Sequence, residues 1–512
     1  MKFKQREWIA AAAILALAAG LRLWRIGALP QALHYDEAQN GLLVMKLLRG
    51  ELPPLVSYPG GREPLVFYLQ AASVALLGRT PGALRLPLAL ASSALALGAG
   101  LLARELWGRK AGWLSALLCA TTFWPVYLGR LGTRPVLFPL LAAFGLWALA
   151  RGWRSRRLRD WILGGVLLGA THYTYSPNLF VLPALILMGA GVLWQRPAMW
   201  PARWRELLLA GGLAAAVAAP VLLFRTVIAP EDSSRPRELA VFYAGQGAAD
   251  LARTVVAQSY LTLRMFVYKG DLEARHNLPG RAVFDIWLLL PLLLGAATLA
   301  APRQRRRRRG VFAGMWLLIF LLPTFLAKAT PHFLRACGIL PLLFVVPALG
   351  LQRMQQWLQP RAGALAATLL PALLLSLSIT LTVRDYWLRG FLETPAVLAA
   401  FDGEHAQLVL EINRHLGFGW LGTNLRALPD TQAAALPLWV ADSLWDGSPY
   451  AQFLAALPPQ AGGRLQRVAM AQLPQQHALL IAPIADAAKF KASARARVVR
   501  TTAGYVLVEW LP

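Results

Sequence analysis

The sequence predicts an all-α polytopic membrane domain followed by a small α/β domain. Of the 512 residues, 57% are hydrophobic and 15% are charged, and long apolar runs recur until the last quarter of the chain. Basic residues gather in short clusters between those runs. Because a helix of about 20 apolar residues can cross a bilayer, we expect residues 1–383 to form the membrane domain and residues 384–512 to form the second domain.

About eleven transmembrane helices are expected from the apolar runs. The runs begin near Trp8, Leu84, Ala111, Pro135, Trp161, Leu179, Leu207, Phe284, Val311, Phe333 and Ala364. Basic clusters occupy alternate connections, and cytoplasmic loops are enriched in Lys and Arg. This alternation predicts a cytoplasmic N-terminus and an extracytoplasmic C-terminus. The run RQRRRRR at 303–309 is its strongest indication.

The same alternation leaves two long outer loops, at residues 30–83 and 225–281. The apolar stretch 65–78 is too short for a span, so we expect a helix lying on the outer interface, with a second one at 38–48. After residue 384, the segments LPLWVAD, HALLIAPIAD and RVVRTTAGYVLVEWL predict strands, and DGEHAQLVLEINRHL predicts an amphipathic helix. These elements indicate a small extracytoplasmic α/β domain.

The net charge of +27 is explained by these basic clusters, which favour membrane topology over a nucleic-acid partner. Cys119 and Cys337 both fall inside apolar runs, so neither a disulfide framework nor a zinc site is indicated. Adjacent acids and isolated histidines also lack a metal-ligand spacing. We assign no metal ligand and no certain cofactor, and a divalent metal is only weakly supported.

A carboxylate pair, Asp36 and Glu37, follows the first apolar run directly in the stretch LHYDEAQNG. Ionised side chains cost several kcal/mol in hydrocarbon, so the pair should lie at the interface. There it can act as acid or base on a lipid-embedded substrate. The alternative interpretation makes Asp36 the N-cap of the following helix.

Further polar residues are expected at the outer ends of the helices. They are Arg62, Glu63, Arg130, Arg134, His172, Tyr173, Tyr175, His276, His332 and Arg335. Arginines suit phosphate because of their planar bidentate geometry. Structural alternatives remain: the adjacent Arg and Glu can pair with each other, the other arginines can reach lipid headgroups, and the histidines can form hydrogen bonds at helix ends.

Several segments in a fixed order resemble the GT-C superfamily of integral membrane glycosyltransferases, of the glycosyltransferase family 39 type. This group includes protein O-mannosyltransferases and bacterial aminoarabinose transferases. The resemblance rests on HYDEA after the first span, GREPLVFYLQ with ALRLP following, GRLGTRP and PHFLRACGILP. It covers roughly residues 1–380.

The resemblance implies a polyprenyl-phosphate sugar as donor and an outer active site. It places the catalytic acidic residue, which would accept a proton from the acceptor, at Asp36 beside Glu37, and a charged pair before a proline falls on Arg62, Glu63 and Pro64. The order here is basic then acidic, the reverse of the order expected in aminoarabinose transferases. Arg130, Arg134, Tyr175, His276, His332 and Arg335 are the other candidates for binding donor phosphate or sugar.

The predicted reaction is transfer of the sugar to a hydroxyl or phosphate of a lipid, glycan or protein. Because phosphate is already a competent leaving group, a single displacement with inversion is expected. The alternative is a flippase or transporter for a lipid-linked sugar. A transporter should carry polar groups through the membrane midplane, whereas the polar residues here are expected at outer helix ends.

Overall fold

The computed structural model describes residues 5–52, 62–195, 200–228, 247–301, 304–390, 393–401, 403–429, 436–455 and 464–511. Parts of both expected outer loops, residues 53–61 and 229–246, lie outside these ranges. The chain is mainly helical and carries a small sheet near its C-terminus, as the sequence predicts.

The elements are numbered in chain order. The first ten helices are α1 (Gln5–Leu23), α2 (Tyr35–Leu48), α3 (Leu65–Leu77), α4 (Pro81–Trp107), α5 (Arg109–Thr121), α6 (Phe123–Gly129), α7 (Leu137–Ser155), α8 (Leu158–Ala170), α9 (Val181–Gln195) and α10 (Trp200–Leu223). The next six are α11 (Ala248–Arg264), α12 (Ile286–Ala300), α13 (Gln304–Phe325), α14 (Phe333–Ala336), α15 (Leu340–Leu343) and α16 (Val345–Val383).

The C-terminal part contains the remaining helices and all of the strands. The helices are α17 (Pro395–Ala400), α18 (Gly403–Leu416), α19 (Asp442–Asp446), α20 (Pro449–Leu454) and α21 (Ala487–Ala492). The strands are β1 (Phe418–Gly419), β2 (Leu428–Pro429), β3 (Leu438–Ala441), β4 (Leu465–Val468), β5 (Ala478–Pro483), β6 (Ala496–Thr501) and β7 (Tyr505–Trp510).

Four helical stretches in the described part of the chain are long and apolar enough to cross a membrane. They are Pro81–Trp107, Arg134–Ser155, Arg203–Ile228 and Val345–Gly390. The pair α5 and α6, bent by 57°, would make a fifth. Helices also form at the other predicted runs, but they are shorter or less apolar. The structure therefore supports a membrane protein, and the expected count of eleven spans is not confirmed.

Three local differences from the sequence prediction have physical explanations. Helix α13 begins at Gln304, so the basic run continues as helix rather than forming a loop. Arginine is a good helix former, and no proline or glycine interrupts 304–309. Helix α16 contains residues of two expected runs, those that begin near Phe333 and Ala364. Gly363, whose φ of 81° is not helical, breaks the helix between them. Helix α11, whose apolar residues are interspersed with polar ones, lies within the second expected loop.

The chain divides into two compact units. The first contains Met1–Leu23, Pro53–Val66 and Leu88–Gly390, and the second contains Trp24–Leu52, Phe67–Pro87 and Phe391–Pro512. Helices α3 and α4 contribute residues to both. The second unit thus combines much of the first expected outer loop with the C-terminal elements, while the domain boundary at residue 384 stays a prediction.

The sheet of the second unit has the strand order β4-β3-β5-β7-β6. Strand β3 is parallel to β4 and β5, whereas β7 is antiparallel to β5 and β6. Leu480, Val506, Val508, Phe490 and Trp510 form part of its apolar core. The three predicted strand segments and the amphipathic helix, α18, are confirmed. Strand β4 was not predicted, because it is only four residues long and the sequence around it is polar.

In the first unit, α12 and α16 approach each other closely through two glycines. A Cβ atom added at Gly295 would overlap the carbonyl oxygen of Val346, and one added at Gly350 would overlap that of Pro291. Small residues of this kind let helix backbones come into contact within a membrane. The packing of these two helices therefore depends on the absence of side chains at the crossing.

We predict that Gly350→Ala destabilises the protein by about 1–3 kcal/mol, because the added methyl group forces the two helices apart. Gly314→Ala in α13 is the matched control, since nothing lies within 4 Å of its added Cβ. The control should be neutral or slightly stabilising, because alanine favours helix. Thermal unfolding in detergent checks both variants, and equal midpoints for the two would contradict the close-packing interpretation.

Candidate functional site

The N-terminus of α2 positions the predicted catalytic pair in the second unit. His34 is the N-cap: its Nδ1 accepts a hydrogen bond from the Asp36 backbone N–H at 3.1 Å. The backbone N–H of His34 in turn donates to Oε2 of Glu37 at 2.8 Å. The interpretation of Asp36 as the N-cap is therefore wrong. Asp36 lies within the first turn, and its side chain is 46% exposed.

Glu37 and Arg85 form a fully buried ion pair. The two guanidinium contacts to the carboxylate measure 2.8 and 2.9 Å, and both side chains are completely inaccessible to solvent. Arg85 also donates to the carbonyl oxygens of Pro30 and Ala32. Such geometry satisfies both charges and fixes the chain before α2. A catalytic role for Glu37 stays a prediction, whereas Asp36 presents an accessible carboxylate next to it.

A second carboxylate, Glu63, lies buried in the first unit between two arginines. Nη1 of Arg134 lies 2.6 Å from Oε2 of Glu63, and Nη1 of Arg225 lies 3.5 Å from Oε1. The Ser176 hydroxyl donates to Oε1 at 3.3 Å. Glu63 is 1% exposed. Among these three charged groups, positive charge exceeds negative charge, which suits a nearby anion.

Three predicted donor-binding residues, Arg134, Tyr175 and Arg62, belong to this cluster or lie next to it in space or in sequence. The Arg134 guanidinium lies 5.9 Å from the centre of the Tyr175 ring, and desolvation raises the pKa of Tyr175. Its hydroxyl therefore stays protonated at neutral pH and can donate a hydrogen bond. Arg62, which is half-buried, directly precedes Glu63.

Arg225 is a member of this cluster that the sequence analysis missed. It lies in the π-helical turn Phe224–Ile228 that follows α10. In the sequence it marks only the end of an apolar run. A charged residue directly after a membrane-length run was the available signal, although such residues also serve as interfacial anchors.

Arg130 is completely buried, and its guanidinium binds backbone carbonyl groups and lies against two aromatic rings. Its Nη1 donates to the carbonyl oxygens of Leu21 and Arg22. Its guanidinium lies 4.8 Å from the centre of the Tyr386 ring and 5.3 Å from that of Trp387. Full burial is inconsistent with a side chain that reaches lipid headgroups. The donor-binding role of Arg130 stays a prediction.

His276 and His332 lie against each other in the first unit, with ring centres 4.5 Å apart. Nδ1 of His276 is 3.1 Å from Oδ2 of Asp271. His332 is the N-cap of α14 and accepts from the Arg335 backbone N–H, as the helix-end interpretation predicts. Burial, together with the nearby positive groups, lowers the pKa of His332 well below its usual value, so its ring is neutral at pH 7.

Residues 59–224 match the family model for dolichyl-phosphate-mannose-protein mannosyltransferase. An undecaprenyl phosphate-alpha-4-amino-4-deoxy-L-arabinose arabinosyl transferase of Pseudomonas aeruginosa is 29% identical over 305 residues, covering 56% of this chain and 49% of that protein. A second such transferase, from Pseudomonas fluorescens, is 29% identical over 299 residues, covering 55% and 48%. The chain matches about half the length of these curated relatives.

The solved structures show the fold. The crystal structure of ArnT from Cupriavidus metallidurans bound to undecaprenyl phosphate aligns with a TM-score of 0.56 at 13% identity, over 99% of this chain and 98% of that chain. The apo form of the same protein gives 0.54 over 98% of each chain. The resemblance to membrane glycosyltransferases of the GT-C superfamily that the sequence predicts is therefore confirmed as a similarity of sequence and of fold. Within that superfamily, the curated relatives named above are aminoarabinose transferases.

We predict that Glu37→Gln destabilises the protein by about 3–5 kcal/mol, because it leaves the buried charge of Arg85 without its counter-ion. Asp36→Asn should leave the thermal midpoint unchanged, since Asp36 is half-exposed and does not cap α2. The double variant Glu37→Leu/Arg85→Met should recover much of the lost stability, because two apolar side chains replace the buried ion pair. Equal midpoints for Glu37→Gln and the wild type would refute the structural role of this ion pair.

Proposed function

We propose that the protein transfers a sugar from a polyprenyl-phosphate donor to a hydroxyl or phosphate of a lipid, glycan or protein acceptor. The observation that carries the proposal is the pair of arginines, Arg134 and Arg225, gathered on the buried Glu63. The fold gives further support. This chain has the fold of ArnT from Cupriavidus metallidurans, whose crystal structure contains undecaprenyl phosphate. A lipid-linked phosphate is the anion that this combination suits best.

The arginines would bind the donor phosphate and stabilise it as it leaves. Arg134 is held by Glu63 and lies beside Tyr175, so much of its side-chain freedom is already lost before a ligand arrives. Guanidinium groups fixed in this way stabilise developing negative charge at little reorganisation cost. Arg62 and Arg335 remain further candidates for the same phosphate, and His276 and His332 for the sugar or phosphate.

Asp36 would be the general base that accepts the proton of an acceptor hydroxyl. Its side chain is accessible, and the neighbouring Glu37–Arg85 pair holds the first turn of α2 in place. We infer that Glu37 positions Asp36 rather than reacting itself. Since the phosphate leaves without covalent help from the protein, one displacement inverts the anomeric carbon.

The proposal places the active site and the C-terminal domain on the extracytoplasmic face of the inner or plasma membrane. Its support is the alternation of basic clusters along the sequence. A lipid-linked sugar with its phosphate at the membrane interface would then be reached from the same side as the acceptor.

Asp36→Asn is expected to lower the turnover number by about 10²-fold or more, because asparagine keeps the shape of the side chain but cannot accept the proton. Binding of the donor should survive. The measurement uses purified protein in lipid nanodiscs, an undecaprenyl-phosphate sugar labelled in the sugar, and fractionated cell-envelope acceptors. The anomeric configuration of the product, read by NMR, tests inversion.

Asp250→Asn is the matched control, because Asp250 also lies in the first turn of a helix and its side chain is 62% exposed. It should turn over as the wild type does. Near-normal turnover by folded Asp36→Asn would remove Asp36 from the chemistry. Wild-type protein that moves the intact donor between leaflets and transfers no sugar would replace the transferase with a flippase.

Arg225→Ala is expected to weaken donor binding by about 1.5–3 kcal/mol, the value of a charge-assisted hydrogen bond. The pair between Glu63 and Arg134 remains, so the fold should persist. Arg253→Ala, which removes an 83% exposed arginine, should bind the donor as the wild type does. Fluorescence titration with a labelled polyprenyl phosphate gives both affinities, and equal values would place the phosphate elsewhere.

A further inference from the structure

The second unit contains a cavity of about 210 Å³ between α2, α3 and the C-terminal elements. Nine of its ten lining residues are apolar or glycine, and the tenth is Arg79. Ligand pockets in proteins are commonly apolar, with a few polar groups that fix the orientation of the ligand. This lining therefore fits a ligand with an apolar chain and one polar end. The larger side chains in the lining are those of Met45, Leu48, Val74, Arg79, Phe418 and Leu454.

Arg79 brings a buried positive charge to this cavity. It follows α3 and is only 9% exposed. Burial lowers the pKa of Arg79 to about 10, so its guanidinium still carries its charge at pH 7. A buried charge interacts more strongly with an opposite charge than it does in water. A guanidinium also matches a carboxylate in shape, because two parallel N–H groups can bind the two oxygens.

Hydrogen bonds fix the turn that carries Arg79 against the C-terminal elements. The backbone N–H of Ala427 donates to the carbonyl oxygen of Leu77 at 2.7 Å. The Thr80 hydroxyl donates to the carbonyl oxygen of Leu425, also at 2.7 Å. These two contacts lie on either side of Arg79 in the sequence. Because this part of the wall is already in place, little conformational freedom is lost when a ligand binds.

We propose that this cavity binds a medium-chain fatty acid, with its alkyl chain against the apolar lining and its carboxylate at Arg79. The volume sets the length of the chain. An apolar cavity of roughly 150 Å³ holds benzene, with its six carbon atoms, so a cavity of about 210 Å³ holds about eight carbon atoms. Octanoate is the acid of that length.

The charge distinguishes this ligand from the acyl chain of a membrane lipid. Such a chain ends in a neutral ester, and a neutral acceptor forms a weaker hydrogen bond with arginine than a carboxylate does. A whole phospholipid also carries two long chains, for which this cavity is too small. The cavity therefore favours a free acid with a single chain.

The cavity is separate from the candidate catalytic residue Asp36. Met45, which lines the cavity, follows Asp36 by nine residues in α2, or about 14 Å along the helix axis. The proposal therefore does not depend on the proposed transferase activity, and binding alone can test it.

The test is equilibrium dialysis of radiolabelled octanoate against the full-length protein in lipid nanodiscs, with empty nanodiscs as the blank for uptake by lipid. Wild-type protein should bind octanoate saturably, at one site per chain. Methyl octanoate, the neutral ester, should compete about 10-fold more weakly or worse, because the charge-assisted hydrogen bond at Arg79 is lost. Equal competition by the ester would assign the cavity to an esterified acyl chain and overturn the proposal.

Arg79→Gln should weaken octanoate binding by about 10-fold or more and leave the affinity for methyl octanoate nearly unchanged. Ala75→Phe, at an exposed position of the lining, should weaken the binding of both ligands, because the added ring occupies the cavity. Arg414→Gln is the matched control, since it removes an exposed arginine of the same unit outside the cavity. Thermal midpoints show which variants are folded.

Three results would each count against the fatty-acid site. Wild-type protein could take up no more octanoate than empty nanodiscs, folded Arg79→Gln could keep the wild-type affinity, or Ala75→Phe could bind octanoate as the wild type does. The last measurement decides the matter even where Arg79→Gln does not fold.

Discussion

The buried pair of Glu37 and Arg85 is the constraint on which the candidate catalytic segment depends. It fixes Glu37 in the first turn of α2, and Glu37 in turn accepts from the backbone of the N-cap residue His34. Arg85 meanwhile binds two carbonyl groups of the preceding loop. Loop, cap and helix are therefore held by one guanidinium group, and the accessible carboxylate of Asp36 is oriented as a consequence of contacts made by its neighbours.

Much of this arrangement could be predicted from the sequence because it is local. The helix after HYDE, the helix at 65–77, the amphipathic helix 403–416 and four of the five strands of the larger sheet follow from periodicity over short windows. The polar candidates were also found, because ionised residues next to apolar runs are costly and therefore conspicuous. What the sequence could not give is which charge pairs with which. Glu63 is bound by Arg134 and Arg225, 71 and 162 residues away.

The same limitation explains the residues that were missed or misinterpreted. Asp271 was missed, because it lies in a loop five residues before His276 without a helical spacing, and only the fold brings it to the two predicted histidines, His276 and His332. Asp36 was considered as an N-cap because aspartate favours that position. The actual cap is a histidine ring nitrogen, which propensity does not predict. In each case the local sequence is compatible with more than one arrangement of these side chains, and contacts made in the folded protein select one of them.

The contact between α12 and α16 also restricts how this chain can change in length. Inserting or deleting one residue turns the following part of an α-helix by about 100°. A change between Val346 and Gly350 would therefore rotate that glycine away from Pro291 and bring a larger side chain to the crossing. The number of residues between two such contact points is therefore fixed more strictly than the amino-acid types of the residues between them. Insertions and deletions among related chains should consequently fall in the connections between helices.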